Sequence, residues 1–219
     1  MKKVLLYYHF SCTRGGGDFL PLSFLEELHR IADVTLAVDV ERGFEEAVEL
    51  FGFHLDRSRF RVVPVMPPGY TIARHNIWHS RYRCMRLKKL AAGADIRISA
   101  SNIMDFGLPA HHFINVIDIG DDDFADHVNG RRPSFGTKLR RRLQDRVLKP
   151  LSGMRTKWDT IGDPREHIYP NSEYVNRLLR GYYPPFNGTV FYPPTAFEPG
   201  PVSVPRDPLK IVYLGRINV

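Results

Sequence analysis

Arg14-Gly15-Gly16-Gly17-Asp18 is the stretch whose residue types and spacing speak most directly of chemistry. Consecutive glycines let the backbone come close to a ligand, and a helix opening at about Asp18 would aim free N–H groups and its positive dipole end at an anion. A phosphate fits there, and a glycine turn without a ligand fits as well. Other groups able to bind or catalyse stand at Ser101, Asn102 and Asp105, at Asp118, and at Asp39. His75 and His79 have the i, i+4 spacing of a zinc pair. No glutamate occupies the place a metalloprotease helix needs, so no metal is expected.

Charge is concentrated in one segment. Lys138 to Lys149 carries six positive charges against one negative, with Leu139, Leu143, Val147 and Leu148 forming an apolar stripe at helical spacing. Three readings stay open: a solvated basic face, contact with an anionic membrane surface, or nucleic acid. The third lacks interleaved aromatics or a module motif.

The elements that must position these groups alternate. Lys3 to Phe10 is a strand-length apolar run; Leu20, Phe24, Leu28 and Ile31 mark a helix with one buried stripe; Asp33 to Asp39 is a strand, and Glu41 to Gly52 a helix ended by glycine. Arg59 to Val65 predicts a third strand. The segment from about Arg74 to Ala92 predicts a helix with Trp78, Tyr82, Met85 and Leu90 on one side. Asp95 to Ser101 and His111 to Ile119 predict strands four and five, followed by a long polar connection to the basic helix. His167 to Arg180 reads as a short strand, a cap at Asn171 or Ser172 and a helix, and Thr189 to Pro194 as a short strand closed by prolines. Such alternation predicts an α/β fold, a Rossmann-like parallel sheet with helices on both faces, and ligands at the carboxyl ends of the strands.

Composition bounds the rest. With 219 residues and 43% of them hydrophobic, a sizeable core is affordable, and disordered or collagen-like classes are excluded. Two cysteines, Cys12 and Cys84, point to a reducing compartment. The apolar run after Lys2-Lys3 is short, broken by His9, and followed by no small-residue cleavage site, unlike a signal peptide. A net charge of +7 favours anionic partners.

Four stretches carry a family resemblance: Gly15-Gly16-Gly17 after the first strand; Asp95 to Ser99 with Met104-Asp105-Phe106-Gly107; Tyr169 to Val175 with Val190 to Pro194; and Ile211-Val212-Tyr213-Leu214-Gly215-Arg216-Ile217. Together the chain resembles the N-terminal half of group 1 glycosyltransferases of the GT-B fold. These are retaining enzymes that use a nucleotide-diphosphate sugar, and the likeness leans to the branch that includes the mannosyltransferases of lipid-linked oligosaccharide assembly. The resemblance implies an acceptor-side domain over residues 1–200, a linker over 201–209, and the first strand of a truncated donor-binding domain over 210–219.

It also implies roles. Gly15, Gly16, Gly17 and Arg216 would contact the donor diphosphate; Arg14, Asp18, Asn102 and Asp105 would face the acceptor. Asp118 stands where many relatives carry a histidine near the reacting carbon, and would serve as the catalytic group or cap a loop. No permanently bound cofactor and no metal are implied. The expected partners are a nucleotide sugar, a glycan or lipid-linked acceptor, and an anionic membrane surface. The expected setting is polysaccharide biosynthesis in the cytoplasm, peripheral to the inner face of the membrane. A non-catalytic anion- or nucleic-acid-binding α/β module is the alternative. A nicotinamide-dependent dehydrogenase is disfavoured because the glycine turn lacks G-x-G-x-x-G spacing.

Overall fold

The computed structural model describes residues 1–9, 16–71, 77–114 and 122–194. Six strands, β1 (Lys3–Tyr8), β2 (Asp33–Val38), β3 (Phe60–Pro64), β4 (Ile96–Ser99), β5 (His111–Ile114) and β6 (His167–Pro170), form one sheet. Every pairing is parallel and the spatial order is β3-β2-β1-β4-β5-β6. This is the expected α/β, Rossmann-like arrangement. The strand order reverses between β1 and β4, so their carboxyl ends open a crevice.

The period-two alternation of β1 distributes the core. Val4, Leu6 and Tyr8 join the residues under α1 (Phe19–Ile31) and α2 (Glu41–Phe51), while Leu5 and Tyr7 pack on the other face with Leu87 and Ala91 of α3 (Ile77–Ala91). A third cluster, including Ile114, Phe124, Leu179 and Tyr183, gathers around β5 and β6. Helices therefore cover both faces.

Local chemistry sets the boundaries. α2 stops where Gly52 takes a left-handed φ of 67°. α8 (Glu173–Tyr182) starts at Ser172, whose hydroxyl accepts from the Val175 N–H. In α1 the buried stripe turns toward Leu22, Leu25 and His29, leaving Ile31 72% exposed.

In α3 the structure corrects the expected stripe. Its buried residues are Cys84, Leu87 and Ala91, while Trp78 and Met85 are 68% and 56% exposed and Tyr82 also faces solvent. Leu87 and Ala91 pack with Leu5 and Tyr7 in the core, and the bulky aromatic side chains are turned outward.

The connection expected to be irregular contains α4 (Asp122–Val128), held by Phe124 in the third cluster. The basic segment begins earlier than expected. α5 (Phe135–Leu143) is capped by Ser134, and it runs through a π turn at Gln144–Leu148 into α6 (Lys149–Leu151). Pro150 accounts for the π turn, since its missing N–H and its ring disfavour regular α geometry one turn back.

α7 (Lys157–Ile161), opened by a Thr156–Asp159 capping box, precedes β6. Thr189–Pro194 is not a strand, yet the N–H groups of Thr189 and Phe191 bond the carbonyls of Ile168 and Pro170 and extend the sheet edge. The distal part of the expected fifth strand, the linker and the strand at 210–217 lie outside the described residues.

Candidate functional site

The carboxyl ends of β1 and β4 meet through two side chains. His9, the residue after β1, directs Nδ1 at the Ser101 hydroxyl just beyond β4. Burial lowers the imidazole's pKa; the nearby Asp39 carboxylate opposes that and the Arg83 guanidinium adds to it. His9 is thus a mainly neutral imidazole at the topological switch point.

Beneath it lies a buried polar triad. Tyr7 Oη donates to Asp39 Oδ1 at 2.9 Å, and Arg83 Nη1 reaches Asp39 Oδ2 at 3.1 Å and Tyr7 Oη at 3.3 Å. Burial raises the Tyr7 pKa well above that of an ordinary phenol. Burial works against the Arg83 charge, but Tyr7 and Asp39 outweigh it and raise its pKa. Arg83 therefore stays charged and joins α3 to β1 and β2.

Asn102 and Asp105 lie in the loop after β4. Asn102 adopts φ 58°, which turns the chain back so that its N–H bonds Phe113 and its carbonyl accepts from Ser99 Oγ. The Asp105 carboxylate accepts from the N–H of Gly107 at 2.9 Å and of Arg155 at 2.8 Å, and pairs with Lys88 at 2.9 Å. Burial pushes its pKa up, but those donors prevail and hold it below the usual carboxylate range. Cys84 Sγ also faces Asp105, and burial pushes its thiol up to about 12. Asp105 ties the cleft floor to α3 and to the turn before α7.

The glycine turn sits differently. A Cβ on Gly17 would lie 3.1 Å from Tyr8 Oη. Asp18 is 3% exposed and hydrogen-bonded to Tyr8, whose phenol is raised first by burial and then by the Asp18 charge. Gly17 and Asp18 are thus packed on the chain's own tyrosine and are not among the cleft-lining residues. Gly16 belongs to the 3-10 turn Gly16–Asp18. Arg14, Gly15, Asp118, His75 and Arg216 lie outside the described residues.

His9, Arg83, Ser101, Asn102 and Asp105 line one side of a cleft of about 970 Å³. Arg142, Arg146, Lys149, Arg155, Lys157 and Trp158 contribute to its other walls, and cations outnumber carboxylates along it. Arg141 is taken up by Asp126 at 2.6 Å and Asp123 at 2.9 Å, and Lys149 by Asp145. Arg142 and Arg146 form no ion pair among the described residues, leaving two cations one turn apart at the wall. A smaller hollow of about 460 Å³, lined by Phe44, His54 and Arg57 among others, lies by the segment leading into β3, away from the switch point.

A second polar cluster braces the far wall. Buried Glu166 accepts from the Ala110 N–H at 2.8 Å, from Arg155 at 2.8 Å and from His112 Nε2 at 3.1 Å. The Met104 N–H donates to His112 Nδ1 at 3.4 Å, which fixes the proton on Nε2. Burial keeps His112 neutral, its pKa lowered despite Glu166.

Sequence reasoning passed over His9, Arg83 and Arg155. The available signal for His9 was a polar residue breaking an apolar run at a strand's carboxyl end. For the two arginines only the tertiary partners distinguish them from the neighbouring surface cations.

Among the described residues, no group of three or more His, Cys, Asp or Glu side chains forms a metal site, and no helix is long and apolar enough to cross a membrane. No protein-family model matches the chain, and no curated protein matches it. Among solved structures the chain is similar to Arabidopsis thaliana UGT89C1 complexed with quercetin, at TM-score 0.35 and 13% identity over 83% of this chain and 45% of that one. It is similar also to the same protein complexed with UDP, at TM-score 0.34 and 14% identity over 84% and 45%. The chain thus spans under half the length of the solved structures it matches. At these values the likeness adds nothing to the fold already given by the strand order.

Proposed function

We propose that the chain supplies the acceptor side of an enzyme that transfers a glycosyl group from a nucleotide-diphosphate sugar to a glycan or lipid-linked hydroxyl. The observation that carries this reading is the His9–Ser101 contact at the switch point of a Rossmann-ordered sheet, opening into a cation-walled cleft. The resemblance of the four sequence stretches to group 1 GT-B enzymes supplies the reaction class.

His9 is the base in this reading. With Nδ1–H donating to Ser101 Oγ, Nε2 carries the lone pair that takes the proton from an acceptor hydroxyl. The hydroxyl oxygen then bonds the anomeric carbon as the bond to the nucleoside diphosphate breaks. The Asp39–Arg83–Tyr7 triad holds the strand end that bears His9, while Asn102 and the cationic wall bind the acceptor. On the donor side, Gly15, Gly16 and Gly17 with Arg216 would contact the diphosphate, and Asp118 would favour positive charge developing on the sugar ring. No metal is routed through this scheme.

The resemblance implies retention of configuration, whereas a base on the acceptor oxygen accompanies direct displacement with inversion. The product's anomeric configuration decides between Asp118 and His9 as the principal catalytic group. Transfer from a panel of labelled nucleotide sugars, by the protein as its gene encodes it, is the test. His9→Ala is expected to lower kcat about 100-fold or more with nucleotide-sugar Kd unchanged. Transfer with no donor, or a variant with unaltered kcat, refutes the reading. For the 219 residues alone, calorimetry is expected to show weak nucleotide-sugar binding, and tight binding would show that the donor site does not need a second domain.

A further inference from the structure

Among the described residues that line the cleft, Trp158 is the only large apolar side chain left exposed, at 47%, while Ile103 and Met154 in the same walls are buried. Its indole packs on Tyr183, with centroids 4.6 Å apart and planes at 60°, and on Tyr182 at 5.9 Å. Tyr183 is itself fully buried in the third core cluster, so the ring rests on the core. The residues around Trp158 are engaged in bracing α7. Thr156 and Asp159 form the capping box, Arg155 reaches Glu166, Asp163 and the Asp159 carbonyl, and Lys157 donates to the Ile103 carbonyl. The indole is thereby held in place with about half of it open.

A fixed aromatic ring in a polar cleft suits one class of ligand. A pyranose has an apolar face of C–H groups and a rim of hydroxyls, so it can cover the ring while its rim bonds the polar groups nearby. An acceptor for that rim stands on the next residue. Asp159 Oδ2 takes the Thr156 N–H at 2.9 Å and its hydroxyl at 2.7 Å, whereas Oδ1 accepts no hydrogen bond among the described residues, and Asp159 lines the cleft. A carboxylate oxygen and a sugar hydroxyl make a charge-assisted bond. A planar aromatic ligand would need a second apolar surface opposite the indole, and an acyl chain would need a continuous apolar groove. The described walls are polar and cationic, and Trp158 stands alone in them. We infer that Trp158 and Asp159 form a subsite for a pyranose ring of the acceptor, with the indole against one face of the sugar and Asp159 Oδ1 taking one of its hydroxyls. This rests on the glycosyl-transfer reading and narrows its acceptor to a glycan. Sugar binding is measured with no donor present, so it and transfer can each fail without the other.

Tryptophan fluorescence tests this, because the chain has two tryptophans and one can be removed. In the full chain carrying Trp78→Phe, which replaces an exposed ring, Trp158 is the remaining tryptophan. It is titrated with the methyl pyranosides of mannose, glucose and galactose and with maltotriose, and separately with adenosine as a planar aromatic and hexanol as an alkyl chain. At least one pyranoside is expected to change the emission saturably, with a Kd of about 1–10 mM, the range open to a small ligand with one apolar face to bury. In saturation-transfer NMR, Trp158→Ala should weaken that binding about tenfold or more, and Trp158→Phe, which keeps a ring, about threefold or less. Asp159→Asn, which keeps the cap but loses the charge, should cost about threefold. The titration of Trp78→Phe alters nothing in the subsite, so it decides the matter even where Trp158→Ala unfolds. Emission unmoved by every pyranoside up to about 100 mM overturns the inference. So does a folded Trp158→Ala that binds like the parent, or tighter binding of adenosine or hexanol than of any pyranoside.

Discussion

Replacing Asp39 with alanine leaves a charged guanidinium and a phenol hydroxyl facing a gap where the carboxylate stood. Asp39 is 6% exposed and takes hydrogen bonds from Tyr7 at 2.9 Å and Arg83 at 3.1 Å. Breaking a buried pair by removing one partner costs about 3–5 kcal/mol. The Arg83 side chain keeps a fifth of its surface in the cleft, where water partly solvates it, so the expected loss is about 2–4 kcal/mol. Asp39→Asn keeps an acceptor for one of the two donors and should cost about 1–2 kcal/mol. Arg83→Met strands the carboxylate with Tyr7 alone and should cost about 2–3 kcal/mol. In Asp39→Ala/Arg83→Met both charges are gone, so the double variant should be more stable than the sum by about 1.5 kcal/mol or more. Urea unfolding followed by far-UV circular dichroism reads these values. With m of about 2 kcal/mol/M, Asp39→Ala should lower the midpoint by about 1 M or more. The coupling should persist in high salt, because the pair is little screened by solvent ions. A loss under about 1 kcal/mol for Asp39→Ala, or additivity within about 0.5 kcal/mol, would refute the claim that this triad fixes the cleft floor.

Acid should destabilise the fold through its neutral histidines. The pKa of His9 and His112 is lowered mainly by burial, so below about pH 6.5 the unfolded chain binds protons that the folded chain refuses. Neither group affects stability above that pH, and each removes at most about 1.4 kcal/mol per pH unit as pH falls below it. Urea midpoints from about pH 7 to about pH 5 should therefore decline, and His112→Asn should flatten the slope; an unchanged slope would mean His112 does not titrate in this window. Gly188→Ala places a Cβ 2.3 Å from Phe186 Cζ and 3.0 Å from the Ile168 carbonyl oxygen. That overpacking should cost about 1–3 kcal/mol in thermal or urea unfolding, and a neutral substitution would refute the packing. Cys84, with its thiol pushed up to about 12 and its side chain buried, should resist iodoacetamide in the folded protein and react once urea unfolds it, as peptide mapping reads.

Much of the fold was legible because its strands are short, apolar and separated by helical periodicity. The expected ranges for β2, α2 and α8 fall within about two residues of those observed, with Gly52 and Ser172 ending and starting helices by local backbone chemistry alone. α4 was hidden because Asp121-Asp122-Asp123 reads as a polar loop, and only Phe124, buried against Tyr182 and Tyr183, gives it a reason to be helical. The candidate site was legible in part. Asn102 and Asp105 reach the cleft because loops at strand carboxyl ends must, whereas Asp18 is claimed by Tyr8.

The local sequence by itself determined the parallel α/β alternation, the caps and the carboxyl edge where ligands gather, because each depends on near neighbours along the chain. The tertiary structure alone decided that His9 meets Ser101, 92 residues away, and that Arg83 meets Asp39, 44 residues away. It also chose which stripe of α3 to bury. Two apolar stripes compete there on periodicity alone, and the one buried is that of Cys84, Leu87 and Ala91, whose Leu87 and Ala91 join Leu5, Tyr7 and Phe106 in the core. Trp78, Tyr82 and Met85 are thereby left facing outward.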